Sequence, residues 1–165
     1  MNKELNLHAI TVKRKPKYVK SEKNKVFPNI LNQNFNVTER NKVWSTDFTY
    51  IRMANGKMRY NCTILDLSKR EAIATANSKW INTDLAIKAL SKAIEREKPN
   101  EGLILHSDQG VQFTSWAFVD YCKENGIIQS MSKTGCPYDN APMERFYKSF
   151  KAELIYPNKF NTEDQ

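Results

Sequence analysis

A short, purely apolar run limits the possible folds of this chain more than any other stretch. Leu103–Leu105 leads into Ser107 and Asp108, and a Gln-Gly pair follows at once. A run this short, bounded by turn residues, predicts a buried strand, and the glycine predicts a turn directly after it. Asp108 is therefore expected at the carboxyl end of a buried strand.

Three further strands are predicted upstream of this run. β-Branched and aromatic residues favour a strand over 43–51. The pair Asn55-Gly56 predicts a tight hairpin, so a second strand over 58–67 should pair antiparallel with the first. After a turn, residues 72–77 supply a short third strand. Together these segments predict an antiparallel meander.

Downstream of the meander, helical and strand patterns alternate. The predicted elements are a helix from an N-cap at Thr83 to Pro99, the strand ending at Asp108, a helix from a cap at Thr114 or Ser115 to Asn125, a strand over 127–131 and a last helix beginning near Asn140. Such an order predicts the α/β class, with a five-stranded mixed sheet flanked by helices. Open sheets of this kind carry their chemistry at strand ends and at nearby helix starts.

Three acidic residues fall at such positions. Asp47 lies in the first predicted strand, Asp108 ends the interior strand, and Glu144 lies in the first turn of a helix that Asp139 or Asn140 is expected to cap. Phosphodiester chemistry with two metal ions needs oxygen ligands close together on a rigid frame. The three carboxylates are therefore a candidate metal site.

The same residues also have an ordinary structural explanation. Aspartate commonly makes turns and helix caps, so Asp108 and Asp139 need no metal to account for them. His106 shares a strand face with Asp108 while Ser107 points the other way, so these neighbours do not converge as a hydrolase triad. His106 is expected to support the site or to pack.

Four segments carry a more specific signal. They are Trp44–Ile51, His106–Ser115, Ser130–Lys133 and Asp139–Glu144. Together they closely resemble the integrase core of bacterial insertion-sequence transposases, specifically the insertion-sequence-three family. The resemblance covers roughly residues 25 to 155, and Asp108 and Glu144 leave 35 residues between them, a spacing that this family shares with retroviral integrases.

The resemblance implies a ribonuclease-H-like fold and a recombinase. Asp47, Asp108 and Glu144 match the family's Asp-Asp-Glu motif residue by residue, so the resemblance implies that they are both catalytic residues and metal ligands. It also implies two Mg²⁺ ions, with Mn²⁺ as a substitute. The activity it implies is the cleavage and joining of DNA strands by transesterification.

The positive charge is concentrated at the start of the chain. Residues 1–42 hold ten Lys or Arg against three acids, whereas residues 43–165 hold sixteen against fifteen. We therefore divide the chain into a basic N-terminal arm (1–42), an integrase catalytic core (43–155) and a C-terminal tail (156–165). A basic arm on a nearly neutral body is typical of a protein that meets a polyanion, although a merely solvated tail remains an alternative.

Candidate DNA contacts lie in the arm and on the last helix. The candidates in the arm are Lys13, Arg14, Lys15 and Lys17. Lys148 and Lys151 follow Glu144 by four and seven positions and so share its helix face, where they are expected to meet phosphates. The alternative for Lys148 is an ordinary i,i+4 pair with Glu144.

Cysteine spacing and hydropathy indicate where the protein works. Cys62, Cys122 and Cys136 are widely spaced and form no C-x-x-C pair, which argues against a zinc site and a disulfide framework. No apolar run approaches the roughly 18 residues of a membrane span, and the segment after Met1 lacks the apolar stretch of a signal peptide. We expect a cytoplasmic, nucleoid-associated bacterial protein with no membrane partner.

Two rival hypotheses remain beside the recombinase. One is a metal-dependent nuclease of the same fold, and the other is a catalytically silent or truncated DNA-binding fragment, since the chain ends at Gln165. Relatives carry a helix-turn-helix segment before the core and continue past the last helix. The expected partners are therefore element ends and target DNA, further copies in a multimer on DNA, and a separate or fused helix-turn-helix segment. The chain alone is expected to bind DNA with little sequence preference.

Overall fold

The computed structural model describes residues 25–161. Four of the predicted DNA contacts lie outside this range: Lys13, Arg14, Lys15 and Lys17. The remaining predicted site residues are all described.

A single five-stranded sheet forms the centre of the described chain. Its strands are β1 (Val43–Arg52), β2 (Met58–Asp66), β3 (Glu71–Ser78), β4 (Ile104–Ser107) and β5 (Ile128–Met131). The strand order is β3-β2-β1-β4-β5. The first three strands pair antiparallel, while β4 runs parallel to both β1 and β5. The predicted mixed sheet of five strands is confirmed.

Helices cover the sheet. They are α1 (Thr83–Glu97), α2 (Val111–Thr114), α3 (Trp116–Glu124) and α4 (Ala141–Phe150). A 3₁₀ turn (Pro137–Asn140) precedes α4, and a π-helical turn (Lys151–Ile155) follows it. The short α2 was not predicted, and it sits directly after the turn that ends β4.

The N-cap of α1 differs from the predicted residue, and the N-cap of α3 is one of the two residues predicted for it. Asn82, not Thr83, caps α1: its backbone is extended and its side chain accepts a hydrogen bond from the Leu85 N–H at 3.0 Å. Thr83 is already helical and donates to the Ser115 hydroxyl instead. Ser115 caps α3 by accepting from the Phe118 N–H, so the choice between Thr114 and Ser115 falls to Ser115.

Two apolar clusters lie on the two faces of the sheet. The larger cluster contains Trp44, Leu90 and Phe113 and joins the sheet to α1, α2 and α3. The smaller one joins Leu31 and Tyr147 to the sheet under α4. β1 is therefore buried on both faces over its first four residues, and this buried segment gives Asp47, which follows it, a rigid support.

The sequence predicts that Met143, Phe146, Phe150 and Leu154 include the apolar positions that dock the last helix on the sheet. Met143 is fully buried, and Phe146 and Phe150 are partly buried against the smaller cluster. Leu154, however, is 47 % exposed. The prediction for Leu154 was wrong because the helix widens into a π turn from Lys151, which shifts later side chains out of the α-helical register.

Candidate active site

The predicted acidic residues Asp47, Asp108 and Glu144 line one open pocket of about 570 Å³. An apolar cleft of about 550 Å³ between the end of α4 and the sheet is similar in size. The described lining of that cleft includes Arg59 but no acidic residue. Of these two pockets, the acidic one therefore offers the carboxylate oxygens that divalent cations prefer as ligands.

Sheet register explains why the two aspartates meet. β1 and β4 are parallel neighbours in which Ser45 pairs with His106. Asp47 and Asp108 each lie two residues beyond that pair, so they are expected on the same face of the sheet. Asp108 directly follows the end of β4, whereas Asp47 lies within β1 and pairs with Thr63 of β2. Residues 61 positions apart in sequence are thus brought side by side by strand pairing.

Helix α4 carries the third acid to the same edge. The Tyr147 hydroxyl donates a 2.6 Å hydrogen bond to the Asp47 carbonyl oxygen. Glu144 lies one helical turn before Tyr147, in the first turn of α4. Because Met143 and Tyr147 are buried against the sheet, the helix cannot rotate Glu144 away without losing core contacts.

The three carboxylates line one pocket, but their side chains do not form a ready metal-binding group. Within residues 25–161, no three His, Cys, Asp or Glu side chains lie close enough together to make a metal-binding group. Asp47 Oδ1 accepts from the Phe48 N–H at 2.7 Å, and Asp108 Oδ1 accepts from the Gly110 N–H at 2.9 Å. One carboxylate oxygen of each aspartate is thus held by a backbone N–H group close to it in sequence.

The carboxyl group of Asp47 has a raised pKa. Burial raises the pKa of this carboxyl to about 7, and repulsion from Asp108 and Glu144 adds to the effect, although hydrogen bonds from the Phe48 N–H and the Asn140 amide oppose it. A divalent cation would relieve both the lost hydration and the repulsion. Carboxylate oxygens are also the ligands that Mg²⁺ prefers. The donor set therefore fits this ion.

Asn140 has a different role from the predicted one. Its side chain makes no capping hydrogen bond to α4. Instead, Nδ2 donates to Asp47 Oδ2 at 2.9 Å, and Oδ1 accepts from the Ser45 hydroxyl at 3.3 Å. The cap prediction failed because the 3₁₀ turn runs straight into α4, so Asn140 does not adopt the extended backbone of a cap.

Comparison with known proteins identifies the family. Residues 37–137 match the family described as "Integrase core domain". The chain belongs to this family. The matched span includes Asp47 and Asp108 and ends before Glu144, so the place of Glu144 in the site depends on the geometry of α4.

Named relatives of this integrase core are insertion-sequence transposases, as predicted. The chain is 40% identical to the transposase for insertion sequence element IS904 of Lactococcus lactis over 82% of its own length and 53% of the relative's. It is 35% identical to the putative transposase InsK for IS150 of Escherichia coli K12, over 93% of its own length and 53% of the relative's. The chain spans about half the length of these relatives.

Solved structures confirm the ribonuclease-H-like fold of the integrase core. The dimeric form of the HTLV-2 integrase catalytic core domain in complex with magnesium is similar with a TM-score of 0.56 at 20% identity, covering 68% of each chain. A simian T-cell lymphotropic virus intasome is similar with a TM-score of 0.62 at 17% identity, covering 84% of this chain and 50% of that one. At these identities the likeness establishes the fold alone.

A fourth acidic residue of the integrase core, Asp139, is held by a clamp that sequence reasoning missed. Its carboxylate accepts hydrogen bonds from Asn29 Nδ2 at 2.8 Å, Gln33 Nε2 at 2.8 Å and the Lys133 N–H at 2.9 Å. We call these four residues the Asp139 clamp. The hydrogen bonds from the Lys133 N–H and from Gln33 and Asn29 hold the pKa of Asp139 below its usual value. Asp139 is thus a structural anchor of the 3₁₀ turn rather than the predicted helix cap.

His106 supports the same turn. It is buried, and Nε2 lies 2.9 Å from the Asp139 carbonyl oxygen, which only accepts, so Nε2 carries the proton. Nδ1 then accepts from the Ser130 hydroxyl at 2.9 Å, whose oxygen in turn accepts from the Ile30 N–H. Burial lowers the pKa of His106, which keeps the ring neutral. His106 is a supporting residue, as predicted.

The two lysines predicted on the Glu144 face lie in different surroundings. Lys148 lines a shallow groove with Glu144 and Arg145, a cation that sequence reasoning passed over. The Lys151 ammonium instead lies 4.2 Å from the centre of the Tyr50 ring.

None of the described helices is long and apolar enough to cross a membrane.

Proposed function

We propose that this chain is the catalytic core of an insertion-sequence transposase that cleaves and joins DNA strands by transesterification. Asp47, Asp108 and Glu144 are its catalytic residues and the ligands of two Mg²⁺ ions, for which Mn²⁺ can substitute. The observation that carries the proposal is the shared pocket of these three acids, where β4 ends beside the middle of β1. Family membership supports the same function.

The ions would supply Lewis-acid activation of the attacking hydroxyl and charge stabilisation at the scissile phosphate. The protein's part is to hold three carboxylates on a rigid frame. Asn140 keeps one oxygen of Asp47 turned toward the pocket through its 2.9 Å hydrogen bond. The Tyr147 hydroxyl joins α4 to β1 at the Asp47 carbonyl oxygen, which fixes the position of Glu144 relative to Asp47.

The reaction proceeds in two chemically similar steps. In cleavage, a water oxygen attacks a phosphate at the element end, and the 3′ oxygen leaves with a proton. In joining, that 3′ hydroxyl attacks a phosphate of the target strand, and the target's own 3′ oxygen leaves with the proton. In cleavage one P–O bond breaks as the P–O bond to the water oxygen forms, and in joining one phosphodiester replaces another, so neither step needs an external energy source.

The proposed partners follow from the names of relatives and neighbours. Proteins named transposases act on insertion sequences, so we assign element ends and target DNA as substrates. One neighbour is an intasome, which supports assembly of several copies on DNA. A separate or fused helix-turn-helix segment would supply recognition of the ends. The site of action is bacterial DNA in the cytoplasm, at the nucleoid.

The relatives favour the transposase over both rival hypotheses, the nuclease and the silent DNA-binding fragment. The decisive experiment incubates the full chain with labelled element-end duplexes in Mg²⁺ or Mn²⁺. The wild type is expected to give both cleaved and joined products, whereas Asp108→Asn gives neither. Asp120→Asn, the same substitution at an exposed position of α3, is the matched control and should behave as wild type.

Three results would contradict the proposal. Cleavage without joining would make the chain a nuclease. Equal activity of Asp108→Asn and wild type would remove Asp108 from the site. DNA binding with no product in either metal, while a full-length relative is active in the same buffer, would make the chain a DNA-binding fragment.

A further inference from the structure

A tight turn at residues 29–34, ahead of β1, packs against α4. Within it, the side-chain oxygen of Asn29 accepts a hydrogen bond from the Asn32 N–H at 2.8 Å. The Leu31 carbonyl oxygen accepts from the Asn34 N–H, also at 2.8 Å. The Leu31 side chain is buried in the smaller apolar cluster under α4. The 29–34 turn is therefore fixed against this helix.

Two consecutive residues of the 29–34 turn have left-handed backbone angles. The φ angle is 44° at Asn32 and 62° at Gln33. Asparagine tolerates this region, whereas most other residues with a side chain rarely adopt it. Such a conformation persists only where surrounding contacts hold it, and residues of this kind cluster at functional sites. The contact made at this point is a 2.8 Å hydrogen bond from Gln33 Nε2 to Asp139 Oδ1.

The carboxylate of Asp139 is held at both oxygens by the 29–34 turn. Gln33 donates to Oδ1, and Asn29 Nδ2 donates to Oδ2 at 2.8 Å. Asp139 is 3% exposed. The next residue, Asn140, donates to Asp47 Oδ2 at 2.9 Å. Two hydrogen bonds and one peptide bond thus connect the Gln33 side chain to the carboxylate of Asp47.

We propose that Gln33 is a positioning residue for the metal-binding acids. By holding Asp139 Oδ1, it fixes the 3₁₀ turn next to Asn140, and Asn140 in turn orients Asp47. This positioning role rests on the proposed function, since it concerns how tightly the acidic pocket binds a divalent cation. It makes the chain ahead of β1 a working part of the site, although Gln33 acts only through other residues.

Gln33 restrains a movement that the other partners of Asp139 leave open. The Lys133 N–H and Asn29 both donate to Oδ2, so without Gln33 the carboxylate would be free to turn about that oxygen. Because Gln33 is itself exposed, water can replace its donor. A water molecule supplies no tether to the 29–34 turn, however. The 3₁₀ turn would then move more freely, and Asn140 would move with it.

The first measurement needs neither metal nor DNA. The side-chain amide of Asn140 gives NMR signals that are identified by their loss in Asn140→Ala. Gln33→Glu keeps the size of the side chain but removes the donor, so it should shift these signals. Gln33→Lys restores a donor and should shift them less. Asn34→Glu and Asn34→Lys place the same charges on an exposed neighbour and, as matched controls, should leave the signals in place.

The second measurement is a titration of the full chain with Mn²⁺ alone, followed by electron paramagnetic resonance. Gln33→Glu should weaken Mn²⁺ binding by about 10-fold, the lower end of the range for losing a residue that orients a metal ligand. Gln33→Lys should bind as wild type. Both expectations oppose the effect of charge alone, because an added carboxylate attracts a cation and an added ammonium repels it.

A double-mutant cycle tests the route through Asn140. In the Asn140→Ala background, Gln33→Glu should no longer weaken Mn²⁺ binding, since the link to Asp47 is already lost. An equal loss in both backgrounds would show that Gln33 acts by another route. That result would overturn the positioning role, and a merely structural contribution of Gln33 to folding would not produce the expected dependence on Asn140.

Two other results would also overturn the positioning role. One is an unmoved Asn140 signal in Gln33→Glu, and the other is Mn²⁺ binding that is tighter in Gln33→Glu than in wild type. Failure of the proposed function gives a different pattern. If the wild type bound no Mn²⁺ while Gln33→Glu still moved the Asn140 signals, the metal site would be refuted and the positioning of Asn140 by Gln33 would stand.

Discussion

The side-chain amide of Asn140 donates a 2.9 Å hydrogen bond to Oδ2 of Asp47, across 93 positions of sequence. Asn140→Ala is expected to lower Mg²⁺-dependent activity by about 10- to 100-fold, the usual effect of losing a residue that orients a metal ligand. Asn140→Asp should be worse, because it adds a like charge beside Asp47. Cleavage rates over a range of Mg²⁺ concentrations measure both. Asn125→Ala, at the exposed end of α3, is the control, and an equal loss there would contradict this role.

The raised pKa of Asp47 has a consequence for stability. The folded pKa of about 7 exceeds the ordinary 3.8, so the unfolded chain releases this proton first as the pH rises. The free energy of unfolding should therefore fall between about pH 4 and pH 7, by at most about 4 kcal/mol at 1.36 kcal/mol per pKa unit, and stay level above pH 7.

Asp47→Asn removes this titration while leaving other groups in place. Urea unfolding of both proteins from pH 4 to pH 8 should show the variant gaining on wild type up to about pH 7 and then keeping a constant advantage. A difference that does not change with pH would show that Asp47 titrates normally in the folded protein.

All three acids should be needed for chemistry but not for folding. Asp47→Asn, Asp108→Asn and Glu144→Gln are each expected to abolish Mg²⁺-dependent cleavage, because each would remove a metal ligand. DNA affinity in EDTA should stay within about 2-fold or rise slightly, since each change removes negative charge near the phosphates. Cleavage assays and binding titrations check this, and full activity in any one variant would exclude that residue.

The Asp139 clamp should contribute to stability and to activity together. Asn29→Ala removes a hydrogen bond to a nearly inaccessible carboxylate and is expected to cost about 1.5 to 3 kcal/mol of unfolding free energy. Asn34→Ala, at an exposed neighbour with the same chemistry, should cost little. Urea unfolding measures the cost, and cleavage should fall because the 3₁₀ turn also carries Asn140. Equal effects in the two variants would mean that the clamp is passive.

The basic arm should govern how DNA binding responds to salt. Replacing Lys13, Arg14, Lys15 and Lys17 with alanine should reduce the slope of log K against log salt by up to about 3 to 4, at about 0.9 per lost phosphate contact. Binding titrations of random duplex at several salt concentrations measure this slope. An unchanged slope would show that these cations stay in solvent when DNA is bound.

The sequence by itself determined the number and type of the strands and most of the helices. Its signals were local ones: alternation along β1, the Asn55-Gly56 turn, and helical spacing through α1. It also predicted Asp47, Asp108 and Glu144, because the family's motif carries residue types at a spacing that can be recognised without a structure. Local patterns failed at helix ends, where neighbouring residues such as Asn82 and Thr83 offer the same capping chemistry, and they also missed the short helix α2.

Tertiary structure alone decided what Asn140, Asp139 and Tyr50 do. Each has an ordinary local explanation, as a cap, a turn residue or a strand aromatic, and local sequence cannot choose between that role and a distant one. Their actual partners, Asp47, Asn29 and Lys151, lie 93, 110 and 101 positions away. Such contacts depend on the register of β1 with β4 and on the packing of α4. They arise because the whole sheet must bury its two faces, and no short stretch of sequence encodes that condition.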